Sequence, residues 1–365
     1  MQLRIFLLLL TVVCSCHARI VETFLGPVEE NNPVVLKLLD SKAIQRLKLI
    51  DQSGPTAYFL KNFRRFSRYD HSLGVYALLK RYNASQEEQI AGLLHDASHT
   101  AFSHIGDWIF QTGERRTHSY QDDIHEVSLR HMGVEQDLAN YGLTLQDVSP
   151  KCPHFAALEQ PYPDMNADRI EYNLHTGLIF GDLTAADVEQ ILTALKFADN
   201  KWYFTDAVVA KKFAKLSTYY NKSFWGAPDN QAIYAMAVGL LKYAIQQNII
   251  TSEDIHFSVD GEVLRKLQKS NSKTIQKFLK VMAKIEQHYK LADAHDYDLL
   301  LPVKMRGIDP LVLHNKQLVR LSSLSIDFKN ELALTQEYCD RGVPIKFINL
   351  PDGELRQLLV AAGKN

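Results

Sequence analysis

Between Leu93 and His104 the chain reads LLHDASHTAFSH, which sets His95, His99 and His104 around the carboxylate of Asp96. Seven of the fourteen histidines fall between His71 and His131. A solvated surface has no reason to gather them so, whereas a metal or phosphate site does. Neutral imidazole is a good ligand for transition metals, and a carboxylate neutralises part of an ion's charge. Adjacent residues on a regular helix diverge by about 100°. His95 and Asp96 can therefore reach one ion only where a helix ends, and the small polar run Ala97-Ser98-His99-Thr100 suits such an end. Spacing alone predicts a metal site without naming its reaction.

The elements that must position these groups are helices. From about Asn31 to Ala294 the pattern is mainly helical. Ser85-Gln86-Glu87-Glu88 has the form of a capping box and opens QEEQIAGLLHD, whose Ile90, Leu93 and Leu94 form an inward stripe. Similar starts occur at Asp229 and Ser272. Farther on, DLLLPVKM, QLVRLSSL and VPIKFINL read as short strands, with a helical FKNELALTQEYC before the last. The expected fold is mainly α: a helical domain over residues 31–295, then a smaller C-terminal α+β appendage over 296–365. No repeat or linker sharpens that boundary.

With 365 residues, 46% hydrophobic and 23% charged, the chain has an ordinary globular composition. Its net charge of -1 excludes a global attraction to nucleic acid or anionic membrane, so any polyanionic ligand must be held by a local site. Residues 1–18, MQLRIFLLLLTVVCSCHA, match a secretory signal peptide with cleavage after Ala18. The alternatives are a lipoprotein signal anchored through Cys16 and a buried N-terminal helix. Export is the expectation, with no transmembrane span in the mature chain. Cys152 and Cys339 would then remain, paired or free.

Three segments carry a family likeness: SRYDHSLGV (Ser67 to Val75), LLHDASHTAFSHIGD (Leu93 to Asp107) and NADRIEYNLHTG (Asn166 to Gly177). Together they resemble the HD superfamily of metal-dependent phosphohydrolases, most of all the branch that includes deoxynucleoside triphosphate triphosphohydrolases. The likeness covers roughly Arg46 to Leu183, and continues more weakly through IITSEDIHFSVDGEVLRKL and the runs RGIDPLVL and RGVPIKFI. It implies an HD-type helical bundle and, as metal ligands, His71, His95, Asp96 and Asp168. Such a set suits Mn, Fe, Ni, Co or Zn, or Mg with lower affinity.

The same resemblance places His99, His104, Asp107, His125 and Glu126 over the scissile phosphate, with His104 as proton donor oriented by Asp107. His118 is an alternative to His125. Gln52, Arg68, Arg169, Tyr172 and His175 would contact substrate, and helical geometry gathers Asp168, Tyr172 and His175 within an arc of about 60°. For Tyr172 a core aromatic, and for His175 a satisfied helix histidine, are the competing assignments. One feature departs from the pattern: no arginine occurs between Arg169 and Arg265. Either Lys211, Lys212, Lys215 or Lys222 substitutes, or the substrate has fewer phosphates. The expected activity is hydrolysis of a nucleotide or related phosphate ester or anhydride, with a homo-oligomer allowed by the resemblance. A non-hydrolytic nucleotide sensor and a scaffold retaining the pocket are the other functions considered.

Overall fold

The computed structural model describes residues 18–110, 120–293 and 295–364. The leader expected over 1–18 falls almost entirely outside them, as does His118. Three helices frame the histidine-rich region: Arg68–Arg81, Gln86–Leu94 and Ala167–Phe180. The first starts with a complete capping box between Ser67 and Asp70. Its buried Val75, Leu78 and Leu79 pack with Ala91, Ile170 and Leu174 of the other two.

The box expected at Ser85 is only half made. Ser85 accepts the Glu88 amide at 3.1 Å, but the Glu88 carboxylate turns inward and accepts from the amides of Ala157 and Leu158 at 2.7 and 2.9 Å. Buried amides need an acceptor more than a solvated cap does. Glu88 thereby fixes the loop that leads to Asp168. Ser272 caps its helix as expected, whereas the helix expected from Asp229 begins at Pro228, where a missing N–H is no loss.

Strands appear ahead of the stretch that read as helical and also within it. Hairpins form from β1 (Arg19–Thr23) with β2 (Gly26–Glu30), and β3 (Leu195–Ala198) with β4 (Lys201–Phe204). Later come β5 (Tyr289–Leu291), β6 (Leu299–Leu301), β7 (Leu311–His314), β8 (Gln317–Arg320) and β9 (Val343–Phe347). The C-terminal region is α+β, with the helix Ile326–Arg341 between β8 and β9. It is woven into the body rather than hung from it. Strand β7 runs parallel to β4, giving the order β3-β4-β7-β8, and β9 lies between β5 and β6. One core joins Phe102, Ile105 and Trp108 to Met236 and Leu240, and to Leu301, Ile345 and Leu359. Apolar side chains from both sides of residue 296 share this core. Both Cys152 and Cys339 are free thiols. Among the described residues, no helix is long and apolar enough to cross a membrane.

The segment after Asp96 is held in an uncommon shape. Phe102 and Ser103 have φ of +59° and +60°, which costs an L-residue about 1–2 kcal/mol each. Buried polar contacts offset that cost. Asp260 accepts from the amides of Phe102 and Asp51 and from the Tyr58 hydroxyl, at 2.6, 2.9 and 3.0 Å. The Arg46 guanidinium donates to the carbonyls of His99, His256, Phe257 and Ser258. Replacing Asp260 by Ala leaves three buried donors without their acceptor, so we expect a loss of about 3 kcal/mol or more in denaturant titration. A change within 0.5 kcal/mol would show that the segment is held by other means.

Candidate active site

His71 and Asp168 both come from the first turns of capped helices, and His95 and Asp96 from the end of another. The structure brings all four together. Asp168 Oδ1 lies 3.0 Å from His71 Nε2 and 3.8 Å from His95 Nε2, and the two ring nitrogens are 3.2 Å apart. Asp96 places Oδ2 3.7 Å from His71 Nε2 and Oδ1 3.4 Å from His95 Nε2.

The far sides of both rings decide their tautomers. His71 Nδ1 meets the Glu171 carboxylate, and His95 Nδ1 lies 2.7 Å from the Gly92 carbonyl. Both partners accept only, so each Nδ1 carries a proton, and each Nε2 presents a lone pair once its own proton has left. Two Nε2 atoms 3.2 Å apart, beside two carboxylates, can then share one cation. Atoms about 2.1 Å from one ion, at right or tetrahedral angles, are about 3.0–3.4 Å apart. The donor set therefore fits a divalent metal.

Glu171 was missed at the sequence level. It is fully buried, bridges His71 to His175 (2.8 Å), and orients the His71 ring from behind. The signal was available: positions 168, 171 and 175 share one helical face. Its room comes from Gly74, where a Cβ would lie 2.3 Å from Glu171 Oε1 and 2.8 Å from Glu171 Cγ.

Arg68 is buried and donates from Nε to Ser103 Oγ (2.7 Å) and from Nη1 to Asp96 Oδ2 (2.5 Å), while its buried Nη2 has no protein acceptor. Burial would raise the Asp96 carboxyl, but Arg68 and the neighbouring imidazoles hold it well below the usual carboxylate range. Burial likewise disfavours the His71 imidazolium, yet Glu171, Asp168 and Asp96 raise its pKa to about 10. His95 is raised against the same burial by Asp96 and Asp168.

A cavity of about 210 Å³ opens in front of this cluster, lined among others by Gln52, Arg68, His99, His104, Arg169 and Tyr172. His104 Nδ1 lies 3.2 Å from Asp107 Oδ2, whose other oxygen accepts the Tyr120 amide. His99 Nε2 lies 3.1 Å from Asp96 Oδ1, and burial with Arg68 nearby keeps the ring neutral. Arg169 Nη1 donates to the carbonyls of Gln160 and Asp164, each at 2.8 Å. Gln52 carries a buried Oε1 without a protein donor.

His125, Glu126 and His175 do not line the cavity. Glu126 points outward and pairs with Arg130 at 2.6 Å, while His125 turns inward to Ser98 at 3.0 Å. Neighbours on one helix cannot both face one cavity. Burial pushes the His125 imidazole down to about 4, and its buried Nε2 has no protein partner. His175 lies behind Glu171, its ring centroid 4.8 and 4.1 Å from those of Phe24 and Phe66. Two turns beyond Asp168, the helix has already carried it away from the opening.

The cavity-lining residues that were not expected include two basic ones, Lys304 and Arg306. They come from the connection between β6 and β7, where Arg306 opens the RGIDPLVL run, more than a hundred residues beyond the three segments that carry the main likeness. An adjoining chamber of about 90 Å³ shares Gln52, His104, Tyr172, Lys304 and Arg306, and is otherwise walled by rings including Trp225, Phe224 and Tyr234. Tyr172 is buried and meets Trp225 edge-on at 5.0 Å.

Glu171→Gln or Gly74→Ala should weaken metal binding about 10–100-fold in competition with a chromophoric chelator. Unchanged affinity in both would remove Glu171 from the support of the site. Because the His71 imidazolium is favoured at pH 7 before an ion enters, and His95 is shifted in the same direction, metal uptake should release protons and tighten as pH rises. Calorimetry in buffers of different ionisation enthalpy measures this, and a buffer-independent heat would contradict it.

A family model described as HD domain matches residues 68–139. An uncharacterised protein of Bacillus subtilis, YdhJ, is 31% identical over 319 residues, covering 86% of this chain and 95% of that protein. A metal-dependent phosphohydrolase of Cordyceps militaris, cns2, is 31% identical over 212 residues, covering 56% of this chain and 59% of its own length. The crystal structure of a phosphohydrolase from Bacteroides thetaiotaomicron superposes with a TM-score of 0.65, over 85% of this chain and 95% of its own, at 14% identity, a likeness of fold. Taken with the geometry of the cluster, these similarities make the chain a member of the HD-domain family of metal-dependent phosphohydrolases.

Proposed function

We propose that the chain hydrolyses a nucleotide, binding the scissile phosphoryl group at the His71–His95–Asp96–Asp168 cluster and the base in the aromatic chamber. One observation carries this reading: the two chambers adjoin, with Gln52, His104 and Tyr172 in the wall of both. Aromatic walls suit a flat heterocycle. A divalent cation held by the four ligands supplies Lewis-acid polarisation of a phosphoryl oxygen. The chain's own groups do the rest. Arg68 offers its remaining buried N–H to a phosphate oxygen, with the guanidinium fixed by Ser103 and Asp96. His104, oriented by the Asp107 carboxylate, delivers a proton to the departing oxygen. His99 steadies Asp96 instead of contacting substrate.

A deoxynucleoside triphosphate is the substrate that the sequence resemblance favours. Mn, Fe, Ni, Co and Zn are the metals best suited to the imidazole–carboxylate set, with Mg weaker. Export by the leader-like start and assembly into a homo-oligomer belong to the same proposal. N-terminal sequencing of the secreted protein and light scattering test them.

The decisive experiment incubates metal-loaded protein with nucleoside mono-, di- and triphosphates and identifies the products by mass spectrometry. His95→Ala should lose turnover by more than about 10³-fold while circular dichroism stays native. His104→Gln should lower kcat by about 10²–10⁴-fold with metal content unchanged. Turnover that survives His95→Ala would move the chemistry elsewhere. An intact metal-loaded protein that binds nucleotides without releasing product would make it a sensor.

A further inference from the structure

The shortage of basic residues after Arg169 raises the question of what balances a substrate with more than one anionic group. The expected lysines do not. Lys211 and Lys215 pair with Asp327 at 2.7 and 3.2 Å, and Lys212 pairs with Asp187, all on the outer side of their helix. Phe224 and Trp225, rather than Lys222, face the aromatic chamber. Arg68 has two of its nitrogens on Ser103 and Asp96, and Arg169 directs Nη1 to two backbone carbonyls.

The connection from β6 to β7 fills the gap. Lys304 and Arg306, two residues apart, line both chambers and so stand at their junction. Their backbone is fixed from beneath by two fully buried side chains. Asn221 donates to the Lys304 carbonyl at 3.0 Å and accepts from the amides of Arg306 and Gly307 at 2.5 and 3.0 Å; Ser217 accepts from the Ile308 amide at 3.0 Å. The Arg306 guanidinium lies 5.8 Å over the Trp225 ring. Burial, then Arg306 and Arg169, lower the Lys304 ammonium to about 8, while Asp107 and Asp168 act in the opposite direction. Asp122 and Glu159 also line the metal-side cavity, so its charge is mixed. The like-charged crowding at the junction is what an anion would relieve.

We propose that Lys304 and Arg306 form a second anion subsite at the junction of the two chambers, binding a negatively charged group of the substrate other than the one at the metal cluster. The subsite rests on the nucleotide reading for its place in the cleft. It selects substrates bearing at least two anionic groups over simple monoesters. It also makes the C-terminal region part of the active site.

The test separates the two ideas by using inorganic probes on the full metal-loaded chain, with free Mn²⁺ held constant. Tripolyphosphate should bind wild-type protein at least tenfold more tightly than orthophosphate in calorimetry. That preference should fall to within twofold in Lys304→Gln and Arg306→Gln, and return in part in Arg306→Lys. Equal binding of the two anions by the wild type overturns the subsite whether or not the variants fold. A preference retained in folded variants also overturns it. A tripolyphosphate preference that the variants lose, in a protein that hydrolyses no nucleotide, upholds the subsite and defeats the nucleotide reading instead.

Discussion

Everything in this site depends on one constraint, that the fold holds two imidazole Nε2 atoms and two carboxylates face to face. Glu171 and the Gly92 carbonyl take the outer ring protons, so both rings turn Nε2 inward. Asp96 and Asp168 add negative charge on the same side. Protons on the ring nitrogens balance that charge until a cation displaces them. Metal binding and proton release are thereby one event.

That arrangement needs a frame that does not relax. The strained pair Phe102–Ser103, the Asp260 carboxylate beneath it and the Arg46 guanidinium bind the histidine-rich segment to residues more than 150 positions later in the chain. Each contact satisfies a buried polar group that would otherwise be costly. Gly74 plays a quieter part, leaving space on one helix for the carboxylate of another. The positioning of the ligands is therefore a property of several helices together.

The C-terminal region extends the same logic. Its strands pair with β4 and β5, and its hydrophobic residues enter the core around Trp108 and Met236. The connection pinned by Asn221 and Ser217 is thereby brought over the cleft, adding basic side chains to Arg68 and Arg169 from the preceding helices. A sheet that looks like an appendage in the sequence acts as one wall of the site.

Much of this was legible before any coordinates. The helical period, the cap at Ser272 and the grouping of histidines with Asp96 and Asp168 are local features, and local features survive in a one-dimensional pattern. Even the β3–β4 hairpin left a trace in Asp199-Asn200, both left-handed in a tight turn, which went unread among helical neighbours. What the sequence could not carry was facing. Glu126 and His125 are neighbours that point opposite ways, His175 shares a helical face with Asp168 yet lies behind Glu171, and Lys304 and Arg306 reach the cleft through strand pairing far from the motifs. Residue types and spacing determined which chemistry was possible. Only packing, which fixes each side chain against partners distant in sequence, decided which of them could take part.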